Sequence, residues 1–258
     1  MHNSVRNIAI AGSGNVAWHL ANGLKLQGFG ISGIWSREYL HAKELADRCD
    51  SVAYPDISGL CDRTDLIIIA VPDKVIENIA CSIGQFEGIV VHTAGSVPIE
   101  VLKNNCRHYG VIYPLQTFSK AFPVDLTEVP FFLESSSPEV MQAIKAVALK
   151  LSARVYEAES HQRLMLHIAA VFAGNYSNLM YAIGDELLKN SNLPPEVLRP
   201  LILATALKAT TGDPVEMQTG PARRNDTATI EKHIETLASM PEYADLYRLL
   251  ANLISREK

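Results

Sequence analysis

The chain has 258 residues, enough for one large domain or two smaller ones. Its hydrophobic share of 48% and charged share of 20% are ordinary for a globular protein, and a net charge of -5 without a basic stripe gives no footprint for nucleic acid. The longest apolar run, Leu66 to Val71, is far too short to span a bilayer, and no basic segment followed by a long apolar core opens the chain, so a cytoplasmic protein is expected.

The first element is a short apolar strand, Ile8 to Ala11, running straight into Gly12-Ser13-Gly14-Asn15-Val16-Ala17. This is the G-x-G-x-x-A form of the dinucleotide fingerprint, and a helix to about Gln27 follows it, with Val16, Leu20 and Leu24 on one face. Each letter has a physical reason. Gly12 permits the tight turn, Gly14 lets a pyrophosphate approach the backbone, and Ala17 lets the helix lie on the sheet. The free N–H groups around Ser13, Asn15 and Val16 then face the phosphates.

Further strand and helix signals alternate along the first half of the chain. Strands are expected at Ile31 to Trp35, Ser51 to Tyr54, Leu66 to Val71, Gly88 to His92, Tyr109 to Tyr113 and Pro130 to Leu133. Helices are expected from Tyr39 to about Asp47, Val75 to Ile83 and Pro138 to Leu151. From Ser160 onward only helical patterns remain: one continuous helix to about Lys189 carrying Leu164, Ile168, Val171 and Phe172, one from Pro194-Pro195 to Gly212, one from an Asp226 N-cap over Thr227 to Ala238, and one from Pro241 to Ser255. The expected architecture is an α/β doubly wound (Rossmann) parallel sheet domain, residues 1–157, followed by a smaller all-α domain, 158–258, for substrate binding and dimerisation. Apolar residues on both sides of the Ile168–Leu188 stretch point to a homodimer.

The end of the second strand selects the nucleotide. An NAD site usually has Asp or Glu there to hold the ribose 2′-OH. This chain has Ser36-Arg37, a hydroxyl and a guanidinium suited to a 2′-phosphate, so NADP(H) is expected over NAD(H). The alternative is a solvated Arg37 with Glu38 reaching the ribose. Val71 and Pro72, at the exit of the Leu66 strand, are placed by fold position against the nicotinamide half. Beyond the next strand, Thr93, Ala94 and Gly95 are small enough for ligand to approach the backbone. The four cysteines are scattered, without C-x-x-C or zinc spacing, so reduced thiols and no metal are expected.

These residues carry a resemblance that covers essentially the whole chain. It is similar to the superfamily of pyrroline-5-carboxylate reductase, 6-phosphogluconate dehydrogenase and 3-hydroxyisobutyrate dehydrogenase. Within it, the chain resembles a bacterial family of NADP-dependent oxidoreductases whose helical domain has no assigned function. The motifs are His92-Thr93-Ala94-Gly95-Ser96, Pro114-Leu115-Gln116-Thr117-Phe118, the His167 segment with Asn175, and Gly220-Pro221 through Arg224 to Asp226, followed by His233. The chain departs from that pattern at Tyr113, where the family often has His, and at Asn225, where it often has Gly. The related dehydrogenases carry a catalytic Lys one turn before an Asn; if that Asn is Asn175, the Lys position here is Val171.

The resemblance raises His167 and Asn175 as catalytic candidates, and Ser96, Gln116 and Arg224 as substrate-binding ones. On an ideal α-helix His167 and Asn175 lie about 80° apart and can face one cleft. A histidine can donate a proton as a carbonyl or imine carbon is reduced, Asn175 can hold the same heteroatom, and Arg224 can clamp a carboxylate or phosphate. His167 also reads as a histidine satisfied inside a helix bundle, Arg224 as solvated loop charge, and Asp226 as a cap. The leading expectation is hydride transfer to or from a small polar carbonyl, hydroxyl or imine held between the two domains. Its rivals are a non-catalytic NADP(H)-binding sensor and, less favoured, a domain reading another nucleotide-bearing ligand such as a sugar nucleotide.

Overall fold

The computed structural model describes residues 5–256. The chain forms two compact units, divided between Ser177 and Asn178, inside a helical run that extends from Ser160 to Asn190. The last strand ends at Glu157, and among the described residues every element after it is helical.

The first unit is built on an eight-stranded sheet of order β3-β2-β1-β4-β5-β6-β7-β8. Its strands are β1 (Asn7–Ala11), β2 (Gly30–Trp35), β3 (Ala53–Tyr54), β4 (Leu66–Ile69), β5 (Ile89–His92), β6 (His108–Pro114), β7 (Phe131–Ser135) and β8 (Val155–Glu157). Helices α1 (Asn15–Leu26), α2 (Tyr39–Arg48), α3 (Ile76–Ile83) and α4 (Pro138–Leu151) connect them. Strand alternation distributes the core over both faces: Ile8, Ile10, Leu66 and Ile68 pack with α1, α2 and α4, whereas Ala9, Ala11, Ile67 and Ile69 pack with α3. The chain runs outward from β1 through β2 to β3, then returns to β4 on the other side of β1. That reversal creates a switch point between β1 and β4.

Two features of the sheet depart from the sequence reading. β7 pairs antiparallel with β6, and every other pair of neighbouring strands is parallel. Between β6 and β7 there is only a loop with one short 3-10 turn, Leu126–Glu128, and a parallel return needs a longer crossover, usually a helix. β8 was not anticipated. It is a three-residue edge strand whose Tyr156 and Glu157 are exposed, so it has no buried alternation to read.

Helix α5 (Ser160–Ala170) runs into a π-helical turn, Val171–Tyr176, and continues as α6 (Ser177–Asn190). The expected uninterrupted α-helix is therefore interrupted. An i→i+5 turn holds more residues than an α turn, so the 80° offset between His167 and Asn175, which assumes about 3.6 residues per turn, does not carry across it. The second unit also contains α7 (Arg199–Thr211), α8 (Thr227–Thr236) and α9 (Pro241–Arg256). Asp226 caps α8 by accepting from the Thr229 amide. Asn225 has φ 54, a left-handed backbone that Gly adopts freely and Asn tolerates, which accounts for the exchange of Gly and Asn at this position.

His92 ends β5 and is fully buried. Its Nδ1 accepts from the Ala94 amide at 3.2 Å, which shapes the chain leaving the strand, and among the described residues its Nε2 has no hydrogen-bond partner. Burial, then the positive charge of Arg163, holds its pKa down at about 3; the Pro98 carbonyl opposes this weakly. Between that value and the ordinary value of 6.5, the unfolded chain binds a proton that the folded chain refuses. Stability is thus fully present above the unfolded value and is lost as pH falls below it. Urea unfolding of the parent should lose about 2 kcal/mol more than His92→Gln between roughly pH 7 and pH 5. Identical pH slopes would show that His92 titrates normally in the fold.

Candidate functional site

At the switch point, the chain leaving β1 passes so close to β4 that a Cβ on Gly12 would lie 2.1 Å from the Ala70 carbonyl oxygen. Gly12 has φ 132, and its amide donates to the Trp35 carbonyl on β2 at 2.7 Å. Two residues on, Gly14 is the N-cap of α1. No side chain caps this end, and no acidic residue lies in the first turn. A Cβ on Gly14 would meet nothing within 4 Å. The helix therefore presents unsatisfied N–H groups and its positive pole to open space, which fits a pyrophosphate.

That space belongs to a cleft of about 590 Å³. Gly12, Ser13, Gly14, Asn15 and Val16 line its centre, Ser36 and Arg37 one end, and Val71, Pro72, Thr93 and Ala94 the other. All of these expected cofactor contacts are brought together. The Ser13 hydroxyl donates to Ser36 Oγ at 2.8 Å, tying the glycine turn to the end of β2. The Arg37 side chain is 91% exposed, with its guanidinium 3.9 Å from Glu38, and is free to turn toward a phosphate. The cleft also contains residues not singled out in the sequence. His41, in the first turn of α2, lines the cleft with Ser36 and Arg37; the only available signal was its closeness in sequence to that pair. Asp73 follows Pro72 and accepts a hydrogen bond from Ser96.

Beyond Ala94, the structure gathers a second group. The Tyr113 hydroxyl lies 3.1 Å from His167 Nδ1, with the rings edge-on at 6.1 Å and 70°. Gly95 presses against both: a Cβ there would sit 2.7 Å from Tyr113 Cζ and 2.8 Å from His167 Cβ. Burial raises the Tyr113 pKa; Arg163 acts against that shift, and Asp73 adds to it. Arg163, one turn before His167, is fully buried. Its guanidinium pairs with Glu134 on β7 and donates to the carbonyls of Ala94 and Val97.

Two other expected residues of this unit, the catalytic candidate Asn175 and the substrate contact Gln116, are not drawn into this group. Asn175 lies exposed on the π turn, and the exposed Gln116 turns its side-chain oxygen back onto the Thr117 amide. Arg224 is exposed in the second unit, on the turn after Pro221. Among the described residues no group of three His, Cys, Asp or Glu side chains could hold a metal ion, and no helix is long and apolar enough to cross a membrane.

Comparison with known proteins gives this geometry a context. Residues 7–94 match the family model described as NADP oxidoreductase, coenzyme F420-dependent, and residues 129–254 match a domain of unknown function. Among solved structures, a Bacteroides fragilis protein described as a putative NADP oxidoreductase is 42% identical over 98% of both chains, with a TM-score of 0.90. Two more distant structures share the fold. Pyrroline-5-carboxylate reductase from Streptococcus pyogenes is 15% identical over 97% of this chain and 98% of its own, with a TM-score of 0.65. A reductive aminase from Aspergillus terreus, in complex with NADPH and ethyl-5-oxohexanoate, is 15% identical over 98% and 93%, with a TM-score of 0.73. No curated protein matches the sequence.

The two glycines of the turn should separate in experiment. Gly14→Ala should leave urea stability within about 0.5–1 kcal/mol of the parent but weaken NADPH binding, read by fluorescence titration, at least about tenfold. Gly12→Ala should cost about 2–4 kcal/mol of stability, because strain and overlap coincide there. Unaltered NADPH affinity in Gly14→Ala would place the phosphates elsewhere.

Proposed function

We propose a function on one premise: the chain belongs to the NADP oxidoreductase family, and its nucleotide is NADP(H). On our reading the protein transfers hydride to or from a small polar substrate bearing a carbonyl, hydroxyl or imine. The observation that carries this reading is the uncapped start of α1, open at Gly14 and continuous with a cleft that reaches Ser36 and Arg37 at one end and Thr93 and Ala94 at the other.

NADPH, when bound, would supply the hydride. The α1 amides would hold the pyrophosphate; Ser36 and Arg37, joined by His41, would hold the 2′-phosphate. Val71 and Pro72, with Thr93, Ala94 and Gly95, would contact the nicotinamide half. His167 exchanges the proton at the reacting oxygen or nitrogen, and its half-buried position beside Tyr113 supports that role. Asn175, the second catalytic candidate, would hold the same oxygen or nitrogen, and Ser96 and Gln116 would contact the substrate.

The test is a panel of ketoacids, aldehydes and cyclic imines, followed by loss of reduced-nicotinamide absorbance. At least one should turn over, and His167→Ala should suppress that turnover. Arg37→Ala should weaken NADPH binding by about 1.5–3 kcal/mol and leave NADH little changed. Tight NADPH binding with no turnover across the panel would favour a sensor instead.

We also propose that the protein is a homodimer through its helical unit. The buried apolar residues described in that unit are Ala222, Ala244 and Ala251, too little for a core. Helix α7 spreads its apolar residues over more than one face, and Leu201, Leu203 and Leu207 are exposed. A second copy would cover them. Light scattering should give twice the chain mass, and Leu203→Glu with Leu207→Glu should halve it. A monomeric parent would defeat this assignment.

A further inference from the structure

The mechanism above uses His167 but gives no work to its neighbour. Tyr113 stands at the carboxyl end of β6, at the sheet edge where doubly wound folds bind their ligands. It is 8% exposed, and its hydroxyl meets Nδ1 of the His167 ring. Three separate segments converge here: the loop after β5 through Gly95, β6 through Tyr113, and α5 through His167. A side chain at position 95 would push the two rings apart, so the contact depends on a glycine that makes room for both.

We infer that Tyr113 is a positioning residue for His167: its hydroxyl engages Nδ1, fixes the ring plane and leaves Nε2 as the nitrogen that exchanges the proton. The inference rests on the reading of His167 as the acid–base group. In the reductive direction the imidazolium holds Nδ1–H against the tyrosine oxygen and gives its Nε2 proton to the substrate oxygen or nitrogen, while the carbon takes hydride with its electron pair. The ring ends neutral, still protonated at Nδ1, and water returns a proton to Nε2. In the oxidative direction the Nε2 lone pair takes the proton from the substrate hydroxyl or amine. Tyrosine keeps its own proton throughout. Which ring nitrogen is protonated follows from the bond the other one makes, and that is the service a tyrosine can give here.

The charged groups that face the pair favour a tyrosine that stays neutral. Asp73 lies on the cleft side, and Arg163 lies behind with its charge met by Glu134. Burial works in the same direction as Asp73. A phenolate would be a poor neighbour for Asp73, whereas a hydroxyl can accept from Nδ1–H without a change of charge.

The test is Tyr113→Phe, which keeps the ring that packs on Gly95 and removes only the hydroxyl. Heteronuclear NMR of the full chain with ring-labelled histidine, without nucleotide, reads the His167 nitrogens directly. In the parent, Nδ1 should be the protonated, hydrogen-bonded nitrogen of the neutral ring; in Tyr113→Phe the proton should shift toward Nε2. Turnover on the substrate found above should fall in kcat by about 10- to 100-fold, with NADPH affinity unchanged. Unchanged His167 signals in the variant would overturn the inference, and so would a shifted ring with unaltered kcat. The two readings fail separately: a parent inactive on every carbonyl and imine sinks the proposed reaction, while the NMR comparison alone decides whether Tyr113 holds the ring.

Discussion

One charge that never meets water organises the wall of this site. Arg163 is completely buried, and a guanidinium there is tolerable only when nearly every N–H has a partner. The fold supplies Glu134 from β7, the carbonyls of Ala94 and Val97 from the chain after β5, and Ser160 from the helix start. Glu134 is held in turn by the amide and hydroxyl of Ser160. Three segments distant in sequence are thereby joined at one point. Removing one member of such a pair typically costs about 3–5 kcal/mol, because it strands the other charge. The same charge helps keep His92 neutral, so the β5 exit is shaped by a histidine that accepts a backbone hydrogen bond and carries no charge of its own. The position of His167, one turn beyond Arg163, follows from where this anchor fixes α5.

The opposite side of the cleft is organised by missing side chains. At Gly12 the backbone of β1 and β4 comes too close for any Cβ, and at Gly14 the space is left open. Both glycines belong to one motif, yet they answer different demands: one is required by the folded chain, the other by a ligand. Ser137 caps α4 and Asp226 caps α8, whereas α1, α2, α3 and α7 start without a side-chain cap. What sets α1 apart is the open space in front of its first turn at Gly14, where an anion can take the cap's place.

Much of this was legible in the sequence because the chemistry is local. The glycine turn, the Ser36-Arg37 pair and the apolar runs of β1, β4 and β5 each carry their signal within a few residues, and the doubly wound sheet followed by helices is what forms. What escaped depends on distance or on small differences in period. Tyr113 and His167 are 54 residues apart, and Arg163 and Glu134 are 29 apart; no spacing rule joins them. Tyr113 stood out only as a departure from a family pattern, with nothing to say what its hydroxyl would touch. The π turn at Val171–Tyr176 was invisible because the apolar residues there suit either helical period. The direction of β7 was invisible because it depends on the absence of a crossover helix.

The π turn has a consequence for how the two catalytic candidates are regarded. A wide turn of this kind costs hydrogen-bond quality and persists where the surroundings require it. Here the turn packs beside the loop after β6: a Cβ on Gly174 would lie 3.4 Å from Thr117 Oγ1. Helix α5 is fixed upstream by Arg163, so the helix has to reach that loop from an orientation it cannot choose. An extra residue in the turn resets the facing of everything after it, Asn175 included. His167, on the anchored side, has a fixed environment of Gly95 and Tyr113, while Asn175, on the far side, is exposed. On the proposed reading, a residue held by Gly95 and Tyr113 suits proton transfer, which demands a fixed distance. One placed on a widened turn suits a contact formed only when substrate arrives.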